Sequence, residues 1–375
     1  MLETVFWVTA IGVVYSYFIY PLILLFCKKV RRSYSEEHGY PFVSFIIAAH
    51  NEAARIENKI KNTLEIDYPG DRFEVIVASD ASTDGTDAIV ERYADRGVKL
   101  VRSGVRKGKE YAQLIAIRAA CGEVLVFSDV ATSIPGESLH NMLIKFTDPN
   151  VGAVSSEDRF ITNGRRSSGE GLYVKYEMWL RRLESRVSSL VGLSGSFFAA
   201  RKEVCKNWEV HVQSDFNTAM NCVRLGMSAV TAPDVLGYYR DVSDPSKEYA
   251  RKYRTVLRGI TSLMSSEVLN PSRYGFFSFQ VFSHKIMRWL VPWFLVCNLC
   301  FTIVLLRQHW IYAIALWMHV TFYILALYGW LWPKARRNTL VRIAYFFAQV
   351  NIAIAHAAFS YATGKRILLW APSQR

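Results

Sequence analysis

An α/β fold with a doubly wound, mostly parallel sheet, attached to a membrane, is the class this sequence predicts. Three observations lead there. Between residues 43 and 129 short apolar runs alternate with segments of helical spacing. Acids close two of those runs, at the strand ends where parallel sheets bind ligands. Four apolar stretches flank the polar middle, one before it and three after. Each is close to the roughly 20 residues that cross a bilayer core as a helix.

The first stretch, residues 2–27, is apolar apart from Glu3 and a few hydroxyls. No basic residue precedes it and no small-x-small pattern ends it, so it reads as a span and not as a cleaved leader. Lys28, Lys29, Arg31 and Arg32 follow it. By the positive-inside rule that end is cytoplasmic, which puts the middle of the chain in the cytoplasm. A bacterial inner membrane is the expected location.

The elements follow in order. "VSFIIAA" (43–49) is a buried-strand run and "EAARIENKIKNTL" (52–64) has helical spacing. "EVIVAS" (74–79) is a second strand, "GTDAIVERYAD" (85–95) a helix and "VKLVRS" (98–103) a third strand. "GKEYAQLIAIRAA" (108–120) is a helix and "EVLVFSD" (123–129) a fourth strand. Strands alternating with helices of this length imply parallel pairing.

Two later segments are amphipathic. In 172–190 the stripe is Leu172, Tyr176, Trp179, Leu180, Leu183, Val187 and Leu190, with Lys175, Arg181, Arg182 and Arg186 off it. In 249–264 it is Tyr249, Tyr253, Val256, Leu257, Ile260, Leu263 and Met264, with Arg251, Lys252, Arg254 and Arg258 outside. Basic faces opposite aromatic-rich faces suit helices lying in the membrane interface. The remaining apolar runs lie near 286–306, 310–332 and 339–362. "PKARRN" (333–338) falls inside by the same count. Four spans would put the C-terminus outside, against the basic Lys365, Arg366 and Arg375, so the last segment is expected either to re-enter or to lie flat. The expected division is a span at 1–30, a cytoplasmic domain at 40–240, interfacial helices at 241–284 and three membrane helices at 285–375.

Composition agrees. The chain of 375 residues is 51% hydrophobic, with a mean hydropathy of +0.11. Its net charge of +13 suits anionic lipid head groups and nucleotide phosphates; with spans present, nucleic acid is not the expected partner. The six cysteines form no CxxC pair and read as reduced thiols.

Four clusters carry chemistry. In "SFIIAAHNEAARI" Asn51 and Glu52 open a helix, as caps or as ligands of a base edge. In "EVIVASDASTDGT" Asp80 ends a strand before a turn. In "VRKGKEYAQ" Lys109 opens a helix behind a glycine, where a point charge meets a diphosphate; in "VFSDVAT" Asp129 suits a hard divalent ion. Asp215 precedes a patterned helix, and Arg288 and Trp289 begin an apolar run.

In this order the clusters resemble the membrane-bound members of glycosyltransferase family 2, which include cellulose, chitin and hyaluronan synthases. The resemblance covers about residues 40–290. It rests on "AAHNE", Asp80, Gly108-Lys109, the D-x-D position "DVA", the acceptor segment "SGSFFAAR", "SD" at Ser214-Asp215 and "KIMRW" at 285–289. It implies a GT-A-like sheet and an inverting, UDP-sugar-dependent transfer assisted by Mg2+ or Mn2+. Ala48, Asn51, Glu52, Asp80, Lys109, Ser128 and Asp129 would bind the nucleotide, Asp129 also the metal. Asp215 would be the base, Arg288 would brace the leaving diphosphate and Trp289 would pack near the acceptor sugar. Ser194, Gly195, Ser196 and Trp289 would meet the acceptor. That acceptor is expected to be a growing polysaccharide or oligosaccharide, or alternatively a lipid-linked sugar or lipid phosphate. Membrane lipids, and a second copy of the chain, are further expected partners. Two positions depart from the pattern. Ala131 replaces the second Asp of D-x-D, and Lys285 replaces the Gln of Q-x-x-R-W. Ala131 also keeps open a nucleotide-binding membrane protein with impaired catalysis.

Overall fold

The computed structural model describes residues 1–36, 39–161, 169–240, 245–264 and 266–366. The expected boundary at 240/241 and the basic Arg375 therefore fall at or outside the described residues, as does the side chain of Leu172.

The N-terminal helix α1 (Leu2–Phe26) leads into a seven-stranded sheet. In chain order the sheet domain holds β1 (Val43–Ala49), α2 (Ile56–Leu64), β2 (Phe73–Ser79), α3 (Thr86–Glu91), β3 (Val98–Arg102), α4 (Lys109–Ala119) and β4 (Val124–Asp129). It continues with α5 (Ser138–Ile144), β5 (Val151–Ile161), α6 (Gly169–Val187), β6 (Phe197–Arg201), α7 (Ser214–Arg224) and β7 (Ser228–Arg240). Helix α8 (Pro245–Met264) follows, then α9 (Phe276–Leu305), α10 (Trp310–Leu331) and α11 (Thr339–Ala362).

The strand order is β3-β2-β1-β4-β6-β5-β7. β1 pairs in parallel with β2 and β4, β2 with β3, and β5 with β7. β6 is antiparallel to both of its neighbours. All seven residues of β1 are buried, because apolar cores cover both faces of the sheet. One face packs Phe45, Ile47, Val77 and Val126 under Ile60, Val90 and Leu143. The other packs Ile46, Ile76 and Phe127 under Ala112, Ala116 and Ala219. Two-sided burial is why these parallel strands read as unbroken apolar runs.

The helices α1, α9, α10 and α11 are each long and apolar enough to cross a membrane. A Cβ on Gly12 would lie 2.6 Å from the Phe294 ring, so glycine lets α1 press against α9. Asn298 of α9 donates to Phe6 O (3.0 Å) and Thr9 Oγ1 (3.1 Å), and its Oδ1 lies 3.0 Å from His319 Nε2 of α10. A π turn at Tyr15–Ile19 faces another at Phe282–Ile286, joined by Tyr15 OH and Ser283 Oγ at 3.0 Å. Because α9 begins at Phe276, the division expected at 284/285 falls inside one continuous helix.

The amphipathic helices join the two parts. Leu180 and Leu183 of α6 pack on Tyr20 and Leu24 of α1. Leu263 of α8 joins Phe216 and Met220 of α7. Tyr249 and Tyr253 of α8 meet His356 Nδ1 and Ser360 Oγ of α11, each at 3.0 Å. The last apolar helix thus runs beside α8. The basic side of α8 is not all turned to head groups, as its pattern predicts. Arg258 is buried in an ion pair with Glu110 at 2.6 Å, and Lys252 Nζ sits over the rings of Tyr173 (4.6 Å) and Phe346 (5.7 Å). Those partners lie in other elements, where periodicity cannot reveal them.

Candidate active site

The parallel register aligns the strand tips. Ala48 pairs with Ala78 of β2 and with Asp129 of β4, so Asp80 and Asp129 emerge at one carboxyl edge. Asp80 N donates to Ala49 O at 2.9 Å.

Asp80 is 1% exposed. Its two oxygens accept the backbone amides of Lys107 and Gly108, each at 2.8 Å. Gly108 has φ +96°, a left-handed conformation that favours glycine, and α4 starts at the next residue. The carboxylate expected on a nucleoside therefore also fastens the turn that aims Lys109.

The loops after β1 and β2 are laced together. Asn51, at φ +51°, takes Thr83 N on Oδ1 at 2.9 Å, and its own N–H donates to Ser82 Oγ at 3.1 Å. Glu52 N donates to Thr86 Oγ1 at 2.8 Å, and its carboxylate pairs with Arg55 at 2.6 Å. Burial raises Glu52 above the usual carboxylate range, against the pull of Arg55.

Lys109 is central. Its Nζ lies 2.5 Å from Asp129 Oδ1 and donates to Gly195 O at 3.0 Å. Ser128, the residue before Asp129, is buried, with its Oγ 3.2 Å from Asp129 O. Ser196 O accepts Asp129 N at 2.9 Å. On the other side of Gly195 stands Asp215: a Cβ on that glycine would lie 3.6 Å from Asp215 Oδ2. Asp215 sits in the first turn of α7 and takes Phe216 N on Oδ1 at 2.9 Å. The structure thus brings Lys109, Asp129, Gly195 and Asp215 into one line of contacts. The hydroxyls of Ser194 and Ser196 both bond Asp158 Oδ1, at 2.6 and 2.8 Å; they hold the segment in shape.

Arg288 and Trp289 belong to an adjoining cluster. Trp289 packs over Gly259 of α8, where a Cβ would lie 3.1 Å from its ring, and against the group containing Phe216. Arg288 Nη1 donates to Tyr173 OH (2.8 Å) and Glu177 Oε2 (3.0 Å), with the Tyr17 ring 5.2 Å from its guanidinium. His284 stands between Glu177 (2.9 Å) and Glu184 (2.7 Å). Burial alone would raise Glu177, yet His284 and Arg288 outweigh it and hold that carboxyl well below its ordinary range.

Residue 44 to residue 209 matches the model of glycosyl transferase family 2. Residues 44–209 form a glycosyltransferase family 2 domain. Among similar proteins, a beta-monoglucosyldiacylglycerol synthase of Nostoc sp. is 25% identical over 225 residues, covering 57% of this chain and 45% of the relative. A poly-beta-1,6-N-acetyl-D-glucosamine synthase of Staphylococcus epidermidis is 25% identical over 209 residues, 54% of this chain and 49% of the relative. The chain therefore spans just under half the length of each of these two. Among solved structures, mannosyltransferase PcManGT from Pyrobaculum calidifontis, in complex with GDP-Man and Mn2+, matches with a TM-score of 0.72 at 23% identity, over 98% of this chain and 100% of that one. That likeness shows a shared, GT-A-like fold.

The family 2 domain offers a divalent ion one carboxylate at its D-x-D position, Asp129, with Ala131 beside it. Among the described residues no three His, Cys, Asp or Glu side chains converge on a metal site. A hard cation fits this donor set when diphosphate oxygens and water complete its shell, which is a usual arrangement for magnesium. Sequence reasoning missed Asp158, Glu177 and Lys59. Lys59 lies under the turn after Asp129 and donates to Thr132 O at 2.8 Å; burial pushes it down to about 7. An acid inside a strand and a lysine on the apolar side of a helix were the available signals.

Proposed function

We propose that this chain is a membrane-embedded, inverting glycosyltransferase. Its donor is a nucleoside diphosphate sugar, with a UDP-sugar the first choice from the motif pattern. The catalytic face lies on the cytoplasmic side and the acceptor presents a hydroxyl there. The observation that carries this reading is Lys109, whose ammonium bridges Asp129 and the Gly195 carbonyl while Asp215 stands beyond that glycine.

The residues divide the work. Asp80 fixes the Lys107–Lys109 turn, and Lys109 meets the charge that develops on the leaving diphosphate. Asp215 accepts the acceptor's hydroxyl proton. The freed oxygen bonds to the anomeric carbon as the bond from that carbon to the diphosphate breaks, and the electron pair leaves with the nucleoside diphosphate. Attack opposite the leaving group inverts the anomeric centre. Mg2+ or Mn2+ held by Asp129 would add Lewis-acid neutralisation of the diphosphate. Ser194–Ser196 and Trp289 form the acceptor side.

The PcManGT likeness makes GDP-mannose a donor to test beside the UDP-sugars. The products named for the relatives are of two kinds, a glucosylated diacylglycerol and a polymer of N-acetylglucosamine.

The test is release of nucleoside diphosphate by purified full-length protein in lipid. The panel holds UDP-glucose, UDP-N-acetylglucosamine and GDP-mannose, with and without Mg2+ or Mn2+, and products are sized. Release with one donor, abolished by Asp215→Asn while nucleotide still binds, is expected. Binding without release from any donor would leave a nucleotide-binding protein with impaired catalysis.

A further inference from the structure

We propose that His284 is a positioning residue for the transfer. Held between two carboxylates of α6, it fixes the one that presents Arg288 to the leaving diphosphate, and Tyr20 of α1 anchors the far end. This rests on the glycosyl-transfer reading above and adds residues that the motif pattern does not contain.

The chain of contacts runs through buried groups. Tyr20 OH donates to Glu184 Oε1 at 2.8 Å. His284 Nδ1 lies 2.7 Å from the same oxygen. Its Nε2 lies 2.9 Å from Glu177 Oε1, and Glu177 Oε2 takes Arg288 Nη1 at 3.0 Å. Tyr20, Glu184 and His284 are all buried, so bulk water does not compete for these contacts.

Glu177 and Glu184 stand about two turns apart on α6, and His284 fills the gap between them. Without it, two like charges would share a buried space. With it, both oxygens of Glu177 are taken, one by His284 and one by Arg288, and the carboxylate is held at one angle. Arg288 Nη1 also donates to Tyr173 OH at 2.8 Å, and its guanidinium lies 5.2 Å from the Tyr17 ring and 5.8 Å from the Tyr173 ring.

What this fixes is the other edge of the guanidinium. Arg288 Nε and Nη2 are buried and have no hydrogen-bond partner among the described residues. Such a pair of N–H groups grips a phosphate in bidentate fashion. The reaction develops negative charge on the leaving diphosphate, where donors held in place beforehand act without reorganising. Trp289, the next residue, packs with Phe216 beside Asp215, so the guanidinium and the base belong to one site. An arginine side chain has many rotamers; the series Tyr20, Glu184, His284, Glu177 removes that freedom before the substrate arrives.

The test compares wild type, His284→Leu, His284→Gln, Tyr20→Phe and Arg288→Lys as full-length protein in nanodiscs. It reads kcat for nucleoside diphosphate release from the active donor, and binding of that diphosphate and of the matching monophosphate. The monophosphate lacks the terminal phosphate that Arg288 meets. His284→Leu should lower kcat and diphosphate affinity about tenfold or more, and leave monophosphate affinity within about twofold. His284→Gln should restore most of both, since its amide carries a pair of N–H donors. In the Arg288→Lys background His284→Leu should add nothing further. Where His284→Leu fails to fold, Tyr20→Phe carries the test: it keeps the ring and should lose about threefold in the same quantities.

A folded His284→Leu, or in its place Tyr20→Phe, with unchanged kcat and diphosphate affinity overturns the proposal. Equal loss of monophosphate and diphosphate binding does so too, because it reports a structural role. So does a full effect of His284→Leu on top of Arg288→Lys, which would detach His284 from the guanidinium. Unchanged diphosphate affinity in Arg288→Lys takes the leaving group away from Arg288, and the inference then fails alone while donor turnover stands. Absence of release from every donor in the wild type fails the enzyme reading itself and takes this inference with it.

Discussion

Removing the Lys109 ammonium should change metal and nucleotide binding in opposite directions. In the structure Lys109 Nζ occupies Asp129 Oδ1 at 2.5 Å, and Asp129 is the one carboxylate of the D-x-D position. A cation that binds without nucleotide must first displace that ammonium. A charge-assisted hydrogen bond contributes about 1.5–3 kcal/mol. Asp129 is 32% exposed, so solvent screening favours the low end, about 1.5 kcal/mol. That corresponds to about tenfold in affinity. Lys109→Met should therefore tighten Mn2+ binding to the nucleotide-free protein about tenfold. Affinity for the nucleoside diphosphate should fall, on the proposal that Lys109 meets its charge. Titration of free Mn2+ by electron paramagnetic resonance, with and without nucleotide, reads both. Adding Asp129→Ala to Lys109→Met should remove the gain. Unchanged or weaker Mn2+ binding in Lys109→Met would refute the idea that ammonium and metal compete for Asp129.

Three other outcomes are expected. Asp80→Asn leaves one of two buried amides facing an N–H group, and should lower stability by about 2–3 kcal/mol along with donor affinity; a variant that melts with the wild type would remove Asp80 from the turn. Arg258→Leu should cost about 3–5 kcal/mol because Glu110 is left buried and charged, whereas pairing it with Glu110→Leu should recover much of the loss in thermal unfolding. Lys59 has a folded pKa of about 7 against 10.5 for the free side chain, so the native state resists its charge. Its penalty is full below pH 7 and fades as pH rises towards 10.5, by up to about 1.4 kcal/mol per pH unit. The stability gained by Lys59→Met should accordingly be largest near pH 7 and shrink by pH 9; a constant offset would contradict this.

Much of the first half of the sheet was legible. β1 to β4 are parallel and buried on both faces, so apolar runs located them within a residue or two. α2 starts at Ile56 rather than 52, because the amides of Asn51, Glu52 and Ala53 are taken by Ser82, Thr86 and Asp84. The second half was less legible. β5 carries Glu157 and Asp158, whose partners Arg182 and Ser194 come from elements far along the chain. β7 contains Pro233 and Gly237, which weaken any strand pattern. The start of α9 was missed because Ser278, Gln280, Ser283 and His284 interrupt its hydropathy; all four are buried. In the site, Asp80, Lys109, Asp129 and Asp215 were readable from their places at strand ends and helix starts. Glu177 was not, since its meaning comes from His284 and Arg288, more than a hundred residues later.

The place of β6 sets an order of assembly. β3, β2, β1 and β4 are neighbours drawn from one stretch of chain, Val43 to Asp129, so that half of the sheet can close while the ribosome is still adding the rest. β5 cannot dock when it emerges, because β6 lies between it and β4 and ends only at Arg201. Until then the open flank of β4 is an unpaired edge, a site where chains can pair wrongly. The helices α8 to α11 are the last to be made, so the contact of Lys109 with Asp129 can form before Arg288 and Trp289 exist.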